Sequence, residues 1–377
     1  MERITQYYGG LLETEVESCL TVATPLEKTP KKRGRKKKSL LIAQGSEVIA
    51  EAVEKLPDQE APLLIEESSK DSTALNIAQE SYVEREAAPD RKKTLEVASE
   101  KVPTALQKAA ESMKSGLKEG EIVYAMVDGS MLPTREGADK NDWREVKLGR
   151  IFTQSSIAEV DKHHNWIRQS LYVARMDNCV LFIQVMFMAL NPFKDLGRNL
   201  VFINDGASWI WRWIAKSYPQ STQIVDFFHV MEYLTKSGKI LFKDKSDCET
   251  WIDKQEKSLR QDGVNLLIKE LEELMVSAKM TKTQRAELNK IKKYFEKHQQ
   301  RMLYKTFTDR GLLIGSGPIE SAHRVILQKR LKQSGQRWSK KGAQNVINLR
   351  IHHKNGLWNN VVKLIDRNYN IELAKAA

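Results

Sequence analysis

The sequence predicts an α/β fold, a mixed central sheet flanked by helices, with an all-α block set into it. Three observations carry that reading. IVYAMVD (122–128) and NLVFIND (199–205) are unbroken apolar runs rich in Val, Ile and aromatic residues, the pattern of strands buried on both faces. Shorter runs of the same kind, WREVKLGRIF (143–152), QSLYVARM (169–176) and TQIVDFF (222–228), supply further strands, with helical segments at 178–190 and 208–217 between them. From about 230 to 310 the apolar period changes to three and four residues, which is helical throughout.

The order along the chain supports this division. Residues 1–119 form an appendage without Trp, in which short helices at 48–56, 74–85 and 105–113 have little bulky apolar material to pack on. Within it, PKKRGRKKK (30–38) packs seven basic residues into nine, and residues 39–90 hold twelve acids against Lys55, Lys70 and Arg85. The nonapeptide is either a solvated linker or, through its RGR core, an AT-hook-like peptide whose arginines enter a narrow minor groove. Strands then start at Gly120. In the helix 208–217, Trp209, Trp211 and Trp213 alternate, so they cannot share one face. In the all-α block, Leu267, Leu271, Leu274, Met275 and Ala278 keep one face apolar. Thr281 or Thr283 caps the next helix, which continues through Leu288, Ile291, Phe295 and Met302. Trp251 is either a packing residue or a platform for an unpaired base. Gly317–Pro318 starts a helix, with Gly317 as a cap lacking a side chain, and Ser339 caps the last helix, which stops at Gly356.

Composition narrows the class. With 61 Lys and Arg against 49 Asp and Glu the formal charge is +12. Residues 1–90 are net acidic, so the excess belongs to the rest of the chain and favours a polyanionic partner. It concentrates in residues 321–350, which hold Arg324, Lys329, Arg330, Lys332, Arg337, Lys340, Lys341 and Arg350 and no acid. Cys19, Cys179 and Cys248 are too scattered for a zinc knuckle or a disulfide framework. No apolar stretch is expected to reach the roughly 20 residues of a membrane span, and MERITQYYGG lacks a signal-peptide core. A reducing, intracellular setting is the expectation. His163, His164, His352 and His353 lack metal-site company and read as surface residues.

The chemistry-bearing residues are acids. Asp128 and Asp205 each follow a buried strand and precede Gly. Each could simply begin a turn, since Asp-Gly is a common turn pair. On paired strands, however, the two carboxylates would converge and repel, a conflict that a divalent cation removes. Glu320, in the first turn of the helix after GSGP, is either a complement to the helix dipole or a third ligand aimed at the aspartates. Three oxygen donors without sulfur suit Mg²⁺ or Mn²⁺.

VDGS (127–130), WREVKLGRIF (143–152), NDGASWIW (204–211), IVDFFHV (224–230) and GSGPIES (315–321) together resemble bacterial insertion-sequence transposases of the DDE class, whose wider relatives are Mutator-like and hAT-like transposases. The resemblance runs over residues 120–358, with all five motifs in order. It implies a ribonuclease-H-like catalytic domain interrupted at about 230–310 by the helical block, followed by a tail at 359–377. It also implies a triad of Asp128, Asp205 and Glu320 holding two Mg²⁺ or Mn²⁺ ions, with Asp226 and His229 as auxiliary residues of a D-x-x-H signature. The implied activity is cleavage at element ends and strand transfer into target DNA, in the bacterial cytoplasm at the nucleoid and away from membrane. Double-stranded DNA would be the partner and a homodimer or higher assembly the working form. DNA contacts would come from Lys31, Lys32, Arg33 and Arg35 and from Arg324, Lys329, Arg330, Lys332, Arg337, Lys340 and Lys341. Two rival readings are a structure-selective nuclease with the same core and a non-catalytic, decayed DNA-binding relative.

Overall fold

The computed structural model describes residue 12 and residues 104–135, 142–161, 164–176, 179–277 and 279–376. The basic nonapeptide, with Lys31, Lys32, Arg33 and Arg35, the acidic stretch and His163 lie outside the described residues.

The centre is a five-stranded mixed sheet in the order β5-β2-β1-β6-β7. Its strands are β1 (Val123–Pro133), β2 (Trp143–Thr153), β5 (Leu171–Arg175), β6 (Leu200–Asn204) and β7 (Thr222–Val225). β1, β2 and β5 pair antiparallel, whereas β6 lies parallel to β1 and β7 parallel to β6. The apolar runs are buried as their composition requires: Val123–Val127 and all five residues of β6 are sealed from solvent. Each such Val, Leu, Ile or Phe stabilises the fold by roughly 1.5–3 kcal/mol relative to exposure.

Helices cover both faces. α1 (Ala105–Ser115) is capped by a reciprocal Thr104–Gln107 box and buries Ala110 and Met113, so the folded unit takes in residues before the expected start at 120. α2 (Cys179–Leu190) buries Phe182, Ile183, Val185, Met186, Ala189 and Leu190. Joined to the 3₁₀ segment after it, this helix makes a 21-residue stretch (Cys179–Asn199) that is long and apolar enough by length and composition to cross a bilayer, although Lys194, Asp195 and Arg198 charge its end. Here it is part of the core packed on the sheet. α3 (Ser208–Ser217) buries Trp211 and Trp213 and half-buries Trp209 against Phe182.

The expected all-α block is present. It consists of α4 (Phe227–Leu241), α5 (Lys245–Leu259), α6 (Val264–Ser277), α7 (Lys282–His298) and the short α8 (Tyr304–Asp309). Thr281, rather than Thr283, caps α7. Trp251 is buried and its indole N–H donates to Glu270, so it packs and offers no platform for a base.

After the block come α9 (Gly317–His323), a π-turn (Arg324–Gln328), one further turn (Lys329–Leu331), α10 (Lys340–Lys354) and α11 (Trp358–Ala376). The expected tail is therefore helical. Ser339 caps α10 as predicted, and Gly356 takes a left-handed φ of 72° just past its end. The cap of α9 is Ser316, not Gly317. An antiparallel hairpin of β3 (Ile157–Asp161) and β4 (His164–Ile167), with Val160 and Trp166 exposed, was not predicted.

α10 also protects the edge strand β5. Gln344 accepts from Met176 N at 2.8 Å and donates to Ala174 O, while Asn355 accepts from Tyr172 N at 2.8 Å and donates to Tyr172 O at 3.0 Å. Side-chain amides thus take the place of a sixth strand on an edge that would otherwise be open to pairing.

Candidate active site

Asp128 and Asp205 come from adjacent parallel strands. The β1–β6 pairing aligns Val123 with Leu200 and Ala125 with Phe202, and the same register three residues on sets Asp128 level with Asp205. Backbone pairing has ended by then, and Asn204 Oδ1 instead accepts from Val127 N at 2.6 Å. Asp128 is thus at a strand end only on the β6 side. Towards β2, the pairing continues through Asp128 to Pro133, which corrects the reading of this Asp-Gly as a strand terminus.

Neither glycine serves a turn through left-handed backbone, since neither has positive φ. Gly206 answers to close approach: a Cβ there would lie 2.1 Å from the Tyr294 ring, so α7 of the helical block rests directly on the residue after Asp205. Asp205 is further fixed by Trp211, whose indole N–H donates to its carbonyl at 2.7 Å, and by Ala207 N–H on its carboxylate at 3.1 Å.

Glu320 is brought to the same place by three ties. Asp226, the cap of α4 and buried, accepts from Phe228 N at 3.2 Å, Ser316 N at 3.0 Å and Ser316 Oγ at 2.8 Å, which pins the loop ahead of α9. Arg150, buried on β2, donates to Pro318 O at 2.7 Å. One turn after Glu320, buried His323 sets Nε2 3.1 Å from Asp128 Oδ2. His229 faces Glu232 at 3.2 Å and stacks edge-on with Tyr233.

Two of these carboxyls, Asp205 and Glu320, are shifted by their surroundings. Burial, then Asp128 and Asp226, push Asp205 up to about 6 against the opposing Ala207 hydrogen bond and His229. Burial, then Asp226, Asp128 and Glu232, raise Glu320, while Arg324 opposes. Such mutually repelling oxygen donors fit a hard divalent cation chemically. As the side chains stand, no three His, Cys, Asp or Glu among the described residues are close enough to hold one jointly, so binding requires them to draw in.

Of the expected DNA contacts, Arg324, Lys329, Arg330, Arg337 and Lys341 are exposed, Lys340 is half-buried, and Lys332 turns inward beside Ser130. His352 is half-buried, its Nδ1 3.1 Å from Asn348 O, whereas His353 is exposed. Sequence reading missed Arg150, His323 and Ser316. For His323 the signal was its spacing of three from Glu320, which puts both on one helical face. Arg150 and Ser316 make contacts that no local pattern records.

A mixed α/β domain with acids on β1, just past β6 and in the first turn of α9, and a basic segment after the last of them, is the class this architecture defines. Residues 46–368 match the uncharacterised protein family UPF0236, and the chain belongs to that family. It is similar to the "UPF0236 protein in vanSb 3′ region" of Streptococcus gallolyticus, at 26% identity over 273 residues, covering 70% of this chain and 57% of that relative.

Proposed function

We propose that this protein is a DDE-type DNA transposase with a ribonuclease-H-like core. The observation that carries the reading is the register that sets Asp128 level with Asp205, joined by the upward push that Asp226 and Asp128 add to burial at Glu320. The helical block between Asp205 and Glu320, seated on Gly206, supports it.

In this reading Asp128, Asp205 and Glu320 hold Mg²⁺ or Mn²⁺, two ions being expected, which supply Lewis-acid activation of the nucleophile and stabilisation of the leaving oxygen. Asp226 and His229 act beside them: Asp226 fixes the approach of α9, and His229 lies near enough to Asp205 to favour its ionised form. His323, with Nε2 3.1 Å from Asp128 Oδ2, orients Asp128. Arg324, Lys329 and Arg330 grip the DNA backbone. Water first attacks a phosphodiester at the element end and displaces a 3′-hydroxyl; that hydroxyl then attacks a target phosphodiester, joining the strands and displacing a 3′-hydroxyl of the target. A second copy pairs the two ends.

The test is a strand-cleavage and joining assay with Mn²⁺ and DNA carrying the element ends, comparing the parent with Asp128→Ala, Asp205→Ala and Glu320→Ala. Each variant is expected to lose cleavage by about a hundredfold or more while still binding DNA. Unchanged cleavage in any one refutes the triad. Nicking without joining favours a structure-selective nuclease, and binding without nicking by the parent favours a non-catalytic relative.

A further inference from the structure

We propose that Lys332 and Ser130 form a subsite for a phosphodiester oxygen next to Asp128; this rests on the reading above and specifies where the reacting strand is held. Asp128 and Ser130 are two apart on β1 and so share one face of the sheet. The segment after Glu320 crosses that face, placing His323 over Asp128 at 3.1 Å and Lys332 Nζ over Ser130 Oγ at 2.6 Å. Lys332 is half-buried, and no acid among the described residues forms an ion pair with it. Lys147, Lys236 and Lys292 each have a glutamate at 2.6–2.7 Å. An ammonium drawn from water without an anion of its own, beside carboxylates that would manage a phosphoryl group, is placed to receive a phosphate oxygen. Burial weakens its hold on the proton while Asp128 strengthens it.

The backbone is shaped for this placement. Nine residues separate His323 from Lys332, and in a straight α-helix that spacing would set them about half a turn apart. The π-turn Arg324–Gln328 takes up one extra residue and rotates the turn after it back by about 100°. Arg350 caps carbonyls freed by that turn, donating to Ile326 O at 2.7 Å and also to Val325 O. Beyond Lys332, Trp338 is tied to the end of β1 through Pro133 O and Arg135 N and donates its indole N–H to Leu331 O at 3.2 Å.

The experiment titrates the full chain with thymidine 3′,5′-bisphosphate in Ca²⁺ buffer by calorimetry. The parent is expected to bind, Lys332→Met to weaken binding about tenfold and Ser130→Ala about threefold. Lys257→Met, on the exposed side of α5, should stay within about twofold of the parent. Thermal melts of each variant confirm folding, and Ser130→Ala carries the test should Lys332→Met fail to fold. No measurable binding by the parent overturns the subsite. So does Lys332→Met, or with that variant unfolded Ser130→Ala, matching the parent. If the bisphosphate result fails while cleavage still needs the three acids, the subsite falls and the proposed function stands. If cleavage survives loss of an acid, the proposed function falls whatever the bisphosphate does.

Discussion

At the scale of single residues, Asp205 sets a measurable pH dependence. Its folded value of about 6 lies above the ordinary 3.8, so the protonated form is favoured by folding. Stability from this group is therefore fully present below the ordinary value and is lost as pH rises through about 6. In EDTA, thermal melts of the parent should gain about 1.4 kcal/mol relative to Asp205→Asn between pH 8 and pH 5. A flat difference would mean that neither burial nor the neighbouring acids raise Asp205. Asp128 and Asp205 were legible as candidates because acids that precede Gly after apolar runs stand out locally, and Glu320 because it falls in the first turn of the helix after GSGP. Their partners did not stand out: Arg150 reaches Pro318 and Asp226 reaches Ser316 across more than 80 residues of chain, and no periodicity encodes such contacts.

Among elements, the strands and helices were mostly legible because each buries a run or a stripe whose period betrays it. The helix at 208–217 was read with the bounds it has. The β3–β4 hairpin was not, since it leaves Val160 and Trp166 in solvent and so lacks the burial pattern that marks a strand. The π-turn escaped because one extra residue in a helix leaves its composition unchanged. α10 makes a sharper claim. Gln344→Leu orphans Met176 N–H and Ala174 C=O and should cost about 1–3 kcal/mol in denaturant unfolding. Asn355→Ala should do the same at Tyr172. Arg350→Met, by freeing the π-turn carbonyls, should weaken the bisphosphate as Lys332→Met does, with light scattering unchanged.

For the molecule as a whole, uneven charge is the governing property. Residues 321–350 carry eight bases and no acid, and they lie directly after Glu320. If they grip phosphates, the triple variant Arg324→Ala, Lys329→Ala, Arg330→Ala should reduce the slope of log K against log salt by about 2–3 units on duplex DNA. An unaltered slope would assign the grip elsewhere. The way α10 closes the sheet carries a consequence for biogenesis. On the ribosome, β5 emerges some 180 residues before Asn355, so its rim waits unguarded while the rest of the polypeptide is made. A copy interrupted by a premature stop near residue 340 would keep its three acids yet present a bare, sticky flank, and its fate would be precipitation or proteolysis.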